Sequence, residues 1–441
     1  MKRSAHHAER DGYVAVTAPR DEPSGTTRGY FLQSVLRGVV SPSGENQLSL
    51  YEPDLRIMNP RLSTMLASLL GFLPIGCEKV PTFQEITGQE ANKNSPAVVN
   101  SAAPAIAAGK TASEGAPIQP PAAIEDPAEV LDALMRKSGS QLADREILRA
   151  TKVPSIVGEL KSLDVSRSAV TDEGIRLLGH FTALTRVDLT ALQISGAGIE
   201  GLEPLANLRE LAMVSVKMGS STGWEHLGKL SQVETLNLTQ SNITDADVAI
   251  LTTMTGLKEL NISNTSLSDA ALGQLAKLEN LEILRMENTR QINGVGLKAF
   301  IQKKQMSGLR CLYASSTPLS REGMSNVKKI GSLEVFENAS AQLSDQLFSE
   351  LKGATNFKTL GVGNNNLTAA AGLTIKTMRN LDNLDLRNNA MVTPQILASL
   401  TTLTELSNLN VTKTGCTLAS VQEFRRLRKK CTVIYDDTPS Q

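Results

Sequence analysis

Aromatic residues make up only 3% of this 441-residue chain, with a single tryptophan, and histidine occurs four times. So few aromatics leave no stacking platform for single-stranded nucleic acid. Lysine plus arginine equals aspartate plus glutamate at 45 each, so the formal net charge is zero and no basic face suited to phosphate backbones is evident. One basic run, Arg425, Arg426, Arg428, Lys429 and Lys430, reads as a solvated helix end that complements the helix dipole. His6 and His7 lie near the start of the chain. His180 and His226 lie in separate helical stretches without a cysteine, serine or carboxylate cluster at catalytic spacing. Gly361 and Gly363, in GVGNNN, are followed by no P-loop lysine. The four cysteines match no zinc spacing. An enzyme, a cofactor, a metal and a nucleic-acid partner are therefore not expected.

What the chain has is a period. About every 24 residues it returns to L-x-x-L-x-L, a small polar residue and then I/L-[ST]-D, as in LTRVDLTALQISGAG from 184 and LKELNISNTSLSDAA from 257. A fixed period of this length specifies stacked units, because one strand and one short helix cannot bury their own apolar face. About eleven units begin near Leu160, Leu184, Leu208, Val233, Leu257, Leu281, Leu309, Leu333, Phe357, Leu381 and Leu406. The sixth is longer, which predicts a local bulge. Apolar fourth and sixth positions alternate as in a strand, and helical spacing follows, as in Leu272, Leu275 and Leu278. Thr171, Ser195, Thr244, Ser268, Ser320, Ser344 and Thr368 stand where helices begin and are expected to cap them, and Thr393 with Pro394 marks another start. The ninth position carries Ser168, Ser241, Thr265, Thr289, Thr317, Asn365, Asn389 and Thr414 in most units, a ladder able to satisfy turn backbone groups. Leu192, Val216 and Ala341 interrupt it.

The pattern LxxLxLxx[TN]x[IL][TS]D resembles bacterial leucine-rich repeat proteins of the ITDxGL type, close to the ribonuclease-inhibitor-like and cysteine-containing subclasses, with VTDEGI at 170 the nearest match. The resemblance covers residues 160–435. It implies an α/β leucine-rich repeat solenoid, a horseshoe with an inner parallel β-sheet and outer helices, and a protein-interaction scaffold.

Ahead of the repeats, residues 58–77 read MNPRLSTMLASLLGFLPIGC, an apolar run too short for a comfortable membrane span but suited to export. Ending on Gly76 and Cys77, it resembles a bacterial lipoprotein signal, which implies lipidation of Cys77. Pro74 departs from the branched aliphatic residue usual in that motif. Residues 1–57 read as a disordered leader, with Met58 as the alternative start. Residues 78–125, rich in Ala, Pro and Ser, read as a tether. Asp126-Pro127-Ala128-Glu129 opens an N-terminal helical cap over 126–159. SVQEFRRLRKK and then CTVIYDD read as a last helix and a closing strand. Cys416 and Cys431 are either buried thiols or a bridge pinning that end.

The useful surface is the inner sheet, read through outward third, fifth and seventh positions. Ile283, Cys311 and Val335 should form an apolar row with Arg285, Tyr313 and Glu337 beside it and Glu259 at its rim. An aromatic centre with apolar neighbours and a charged rim is how interface hot spots are built, so a protein or peptide ligand centred on Tyr313 is expected. The expectation is a monomeric, non-catalytic scaffold, exported and held on the cell envelope by its lipid alone. The alternatives are a cytosolic adaptor like the F-box leucine-rich repeat receptors, or a structural envelope spacer.

Overall fold

The computed structural model describes residues 126–136, 141–219, 222–301 and 308–436. The leader, the signal-like segment with Cys77 and the tether fall outside the described residues. Twelve strands form one sheet in strict sequence order, every neighbouring pair parallel. They are β1 Ser162–Asp164, β2 Arg186–Asp188, β3 Glu210–Ala212, β4 Thr235–Asn237, β5 Glu259–Asn261, β6 Ile283–Arg285, β7 Cys311–Tyr313, β8 Val335–Glu337, β9 Thr359–Gly361, β10 Asn383–Asp385, β11 Asn408–Asn410 and β12 Thr432–Ile434. This is an α/β leucine-rich repeat solenoid, with eleven repeat strands and the closing strand as the twelfth. One continuous core of buried Leu, Ile, Val, Met and Phe runs its whole length between sheet and helices. At the start lie α1 Pro127–Arg136, α2 Asp144–Ala150 and α3 Pro154–Glu159, and the Ala128 amide donates to Asp126 Oδ1 at 3.0 Å.

The helices are short, several of them a single turn. Six of the expected caps act as such: Thr171, Ser195, Ser268, Ser320, Ser344 and Thr368 each accept a first-turn amide. Thr244 does not. Its hydroxyl donates to Asp247 at 2.6 Å, and the helix starts only at Val248. The sixth unit departs from its neighbours at Gly294, whose φ of 87° turns the chain into a 3₁₀ segment at Val295–Leu297. A side chain at Gly294 would also run into the Gly323 backbone at 2.7 Å.

Two devices lock unit to unit. The aspartate at or just ahead of the helix start takes hold of the next unit. Asp144 accepts the Thr171 amide at 2.8 Å and its hydroxyl at 2.6 Å. Asp345 accepts the Thr368 pair at 3.0 and 2.6 Å, and Asp245 holds both groups of Ser268. Asp269 instead takes the amides of Asn293 and Gly296, both at 2.8 Å. The glycine of the T-D-x-G phrase belongs to the same device, since a Cβ at Gly174 would lie 2.1 Å from Asp144 Oδ1.

The second device is the ninth-position ladder. Thr265, Thr317 and Thr414 donate to turn carbonyls at 2.6–2.7 Å. Asn389 accepts the Leu367 amide at 3.1 Å, while its amide group donates to the carbonyls of Val362 and Leu386. Ser241 fails the expectation, its buried hydroxyl having no hydrogen-bond partner. Where Ala341 interrupts the ladder, Asn365 accepts the amides of Ala341 and Leu343 at 2.9 and 3.0 Å. Asn338, at a sixth position otherwise apolar, donates to Ala314 O at 2.6 Å. The residue before the ladder adopts left-handed backbone unit after unit, from Arg167 through Ala191, Asn264 and Asn388 to Lys413, with φ of 50–61°.

Candidate binding face

Register brings the sequence-derived residues together. Ile283, Cys311 and Val335 are Cα partners across β6, β7 and β8, and so are Arg285, Tyr313 and Glu337. Glu259 adjoins Ile283 from β5. The period of two along each strand puts both rows on the side of the sheet away from the main core. There Cys311, Tyr313 and Val335 form a second hydrophobic cluster, with Ile283 packed against it.

This cluster is not the open patch that outward positions lead one to expect. Tyr313 is 4% exposed, Val335 2% and Cys311 0%. The side chains pack along the row and the Arg285 guanidinium lies over the Tyr313 ring, 4.1 Å from its centroid. Cys311 is also held in a disulfide. Alternation alone gives the direction of a side chain and is blind to what then lies upon it.

The surrounding electrostatics follow from burial. Arg285 Nε donates to Glu259 Oε1 at 2.9 Å, and the nearby carboxylates raise its pKa further against desolvation. Burial pushes the Tyr313 phenol up to about 12, although Arg285 pulls the other way. Burial also raises the Glu337 carboxyl, and Glu287 and Asp385 add to this while Arg285 and Arg387 oppose it. Asp385 is raised by burial against the Arg387 ion pair, which measures 3.2 Å.

Sequence reasoning passed over Glu287, Asp385 and Arg387, which are part of this field. Their signal was present as charged residues at the fifth and seventh positions. The two glycines of GVGNNN have a spatial role instead of a phosphate-binding one. A Cβ at Gly361 would press on Glu337 Cγ at 3.0 Å, and one at Gly363 on Arg387 Cγ at 2.8 Å.

Elsewhere, His226 Nδ1 lies 2.7 Å from Glu203, which also takes Lys229 at 2.9 Å. Cys416 and Cys431 are both buried and free, so no bridge joins them. Burial raises both thiols above their ordinary value. Among the described residues no three His, Cys, Asp or Glu stand close enough to hold a metal ion.

A family model described as leucine rich repeat matches residues 231–290, the fourth and fifth units with the start of the sixth. No curated protein matches this chain. Among solved structures, an internalin from Listeria monocytogenes is 20% identical over 71% of this chain and 95% of that one, with a TM-score of 0.46. TLR13 in complex with ssRNA13 is 16% identical over 65% of this chain and 44% of that one, at 0.45. A mouse RP105/MD-1 complex is 17% identical over 63% and 46%, at 0.46. The chain thus spans less than half the length of the latter two. Residues 231–290 thus match the leucine-rich repeat family, and the unbroken register of the sheet carries the same repeat through the described residues.

Proposed function

We propose that the protein is a non-catalytic scaffold that binds a protein or peptide ligand through the inner face of its sheet, around Glu259, Ile283, Arg285, Cys311, Tyr313, Val335 and Glu337. The observation that carries this reading is the exposed edge of the charged cluster at β5–β8, where an Arg285 head held by Glu259 lies over an aromatic ring. Arginine and tyrosine in a partly desolvated setting are the residue types on which interface energy concentrates. In the same reading the chain is exported and held on the cell envelope by lipid on Cys77, several acyl chains being needed for a stable anchor.

Two experiments test the parts separately. Exchanging the charges in E259R/R285E keeps the ion pair but inverts the field presented to a ligand. Capture of envelope proteins by the full chain should be lost while circular dichroism shows the chain still folded; capture unaffected by the exchange sinks the inner-face site. Intact mass with membrane fractionation, after bacterial expression from the native upstream region, reads the anchor. A mature chain starting at acylated Cys77 supports it, and a soluble chain retaining Met1 or Met58 removes it.

A further inference from the structure

The residue just before each central strand forms a ladder of alternating sign. From unit three to unit ten it reads Arg209, Glu234, Lys258, Glu282, Arg310, Glu334, Lys358 and Asp382. The rungs next beyond, Thr185 and Ser407, are uncharged. Register stacks these residues on one flank of the solenoid, each immediately ahead of a paired strand position. With strands about 4.8 Å apart, eight rungs extend on the order of 34 Å.

Neighbouring rungs touch within the chain. Glu234 takes Lys258 at 2.8 Å and Arg209 at 3.7 Å, while Glu334 takes Arg310 at 3.0 Å and Lys358 at 3.1 Å. Even so, the seven side chains from Arg209 to Lys358 remain 24–55% exposed. The ground around them is low. Gly256, Gly308 and Gly331 lie on this flank, and Asn207, Asn280 and Asn380 turn their amides inward onto carbonyls of the preceding unit. Small or inward-turned side chains therefore neighbour the charges.

We propose that this flank pairs with the same flank of a second copy of the chain, about a two-fold axis passing between the rungs of Glu282 and Arg310. A rotation of this kind reverses the ladder. It sets Arg209 against Asp382 of the other copy, Glu234 against Lys358, Lys258 against Glu334 and Glu282 against Arg310. Every rung then meets its opposite. That outcome requires strict alternation and an even number of rungs, because an odd number would set the middle charge against itself. A two-fold interface is self-complementary by construction, and this ladder meets the condition at all eight positions. Each half-exposed pair contributes little, up to about 1 kcal/mol, so the contact is salt-sensitive. It replaces the monomer expected from the sequence.

Sedimentation equilibrium of the purified full chain tests the pairing. A mass of two chains at low ionic strength, falling to one as salt rises, is the expected result. Arg310→Glu sets two carboxylates against each other at the axis and should leave only single chains. The exchange E282R/R310E is the decisive variant. Across the axis it restores opposite charges, so the double mass should return. Within one chain the exchange leaves two like-charge neighbours, with Lys258 and Glu334, as many as the single variant has, so a ladder serving only internal stacking would show no recovery. If the central exchange does not fold, R209E against R209E/D382R reads the same relationship at the ladder ends. A parent chain that stays single at low salt overturns the proposal. So does a folded exchange variant that stays single.

Discussion

The carboxylate of Asp172 holds Ser195 of the following unit by both its amide, at 2.7 Å, and its hydroxyl, at 2.6 Å. Asp172 opens its own helix, so one side chain supports a helix N-terminus and fastens the next unit. Asp172→Ala is expected to lower stability by about 1–3 kcal/mol, the range for losing charge-assisted hydrogen bonds. Asp172→Asn keeps one good acceptor and should fall between. Urea unfolding followed by circular dichroism measures both, and an alanine variant as stable as the parent would remove the bracket from the account.

The glycine behind each bracket can be tested by contrast. Gly174→Ala drives a methyl into the Asp144 carboxylate, whereas a Cβ at Gly273 meets nothing within 4 Å. The first should destabilise by about 1–3 kcal/mol as an overpacked contact. The second lies in a helix and should stabilise by roughly 0.5–1 kcal/mol. Equal effects at the two sites would contradict the steric argument.

Asn365 makes up for the missing rung at Ala341, accepting two amides and donating to Asn338 O at 2.9 Å and Val362 O at 3.1 Å. Asn365→Ala leaves the amides of Ala341 and Leu343 buried and unpaired, at about 1–3 kcal/mol each, so a loss of at least about 2 kcal/mol is expected. Hydrogen exchange should quicken first at the amides of Ala341 and Leu343. Unchanged protection there would count against this role.

Glu337 gives the inner face a pH dependence of definite sign. Its carboxyl is raised in the folded chain by burial, then by Glu287 and Asp385. A group raised on folding contributes stability that is fully present below its ordinary value and lost as pH rises through the folded value. Glu337→Gln removes that loss. The variant should melt above the parent at neutral pH, and the gap should close on acidification below the ordinary glutamate value of about 4.3. A gap that widens in acid would refute it.

Tyr313→Ala carries two consequences because the ring is buried. Truncation should lower stability by about 3–5 kcal/mol, the range for removing a large buried aromatic. Loss of ligand capture by this variant would therefore not isolate binding, which is why the Glu259 and Arg285 exchange is the preferred probe. A melting temperature unmoved by Tyr313→Ala would show the ring to be exposed in solution.

The repeat made most of the architecture readable. Apolar fourth and sixth positions such as Leu260 and Ile262, helical spacing through Leu272 and Leu275, and caps such as Ser268 are local matters with local physics. The inner-face rows were readable for the same reason, since a parallel sheet in constant register turns sequence period into spatial neighbourhood. The aspartate brackets were in view as a phrase but not as a contact, because the partner of Asp172 stands 23 residues away. Thr244 was misjudged as a cap because its hydroxyl had a nearer acceptor in Asp247.

The sequence by itself therefore determined the stacking, since units that cannot bury their own apolar face have one way to do so. Burial and pairing of particular side chains belonged to the tertiary structure. Only there does Arg285 come to rest over Tyr313, Asn365 reach across to the turn that Ala341 leaves open, and a carboxylate at Glu337 feel Glu287 and Asp385. A period fixes which residues share a row. Packing across the rows decides whether a side chain meets water, an ion partner or another side chain, and that is where its chemistry is set.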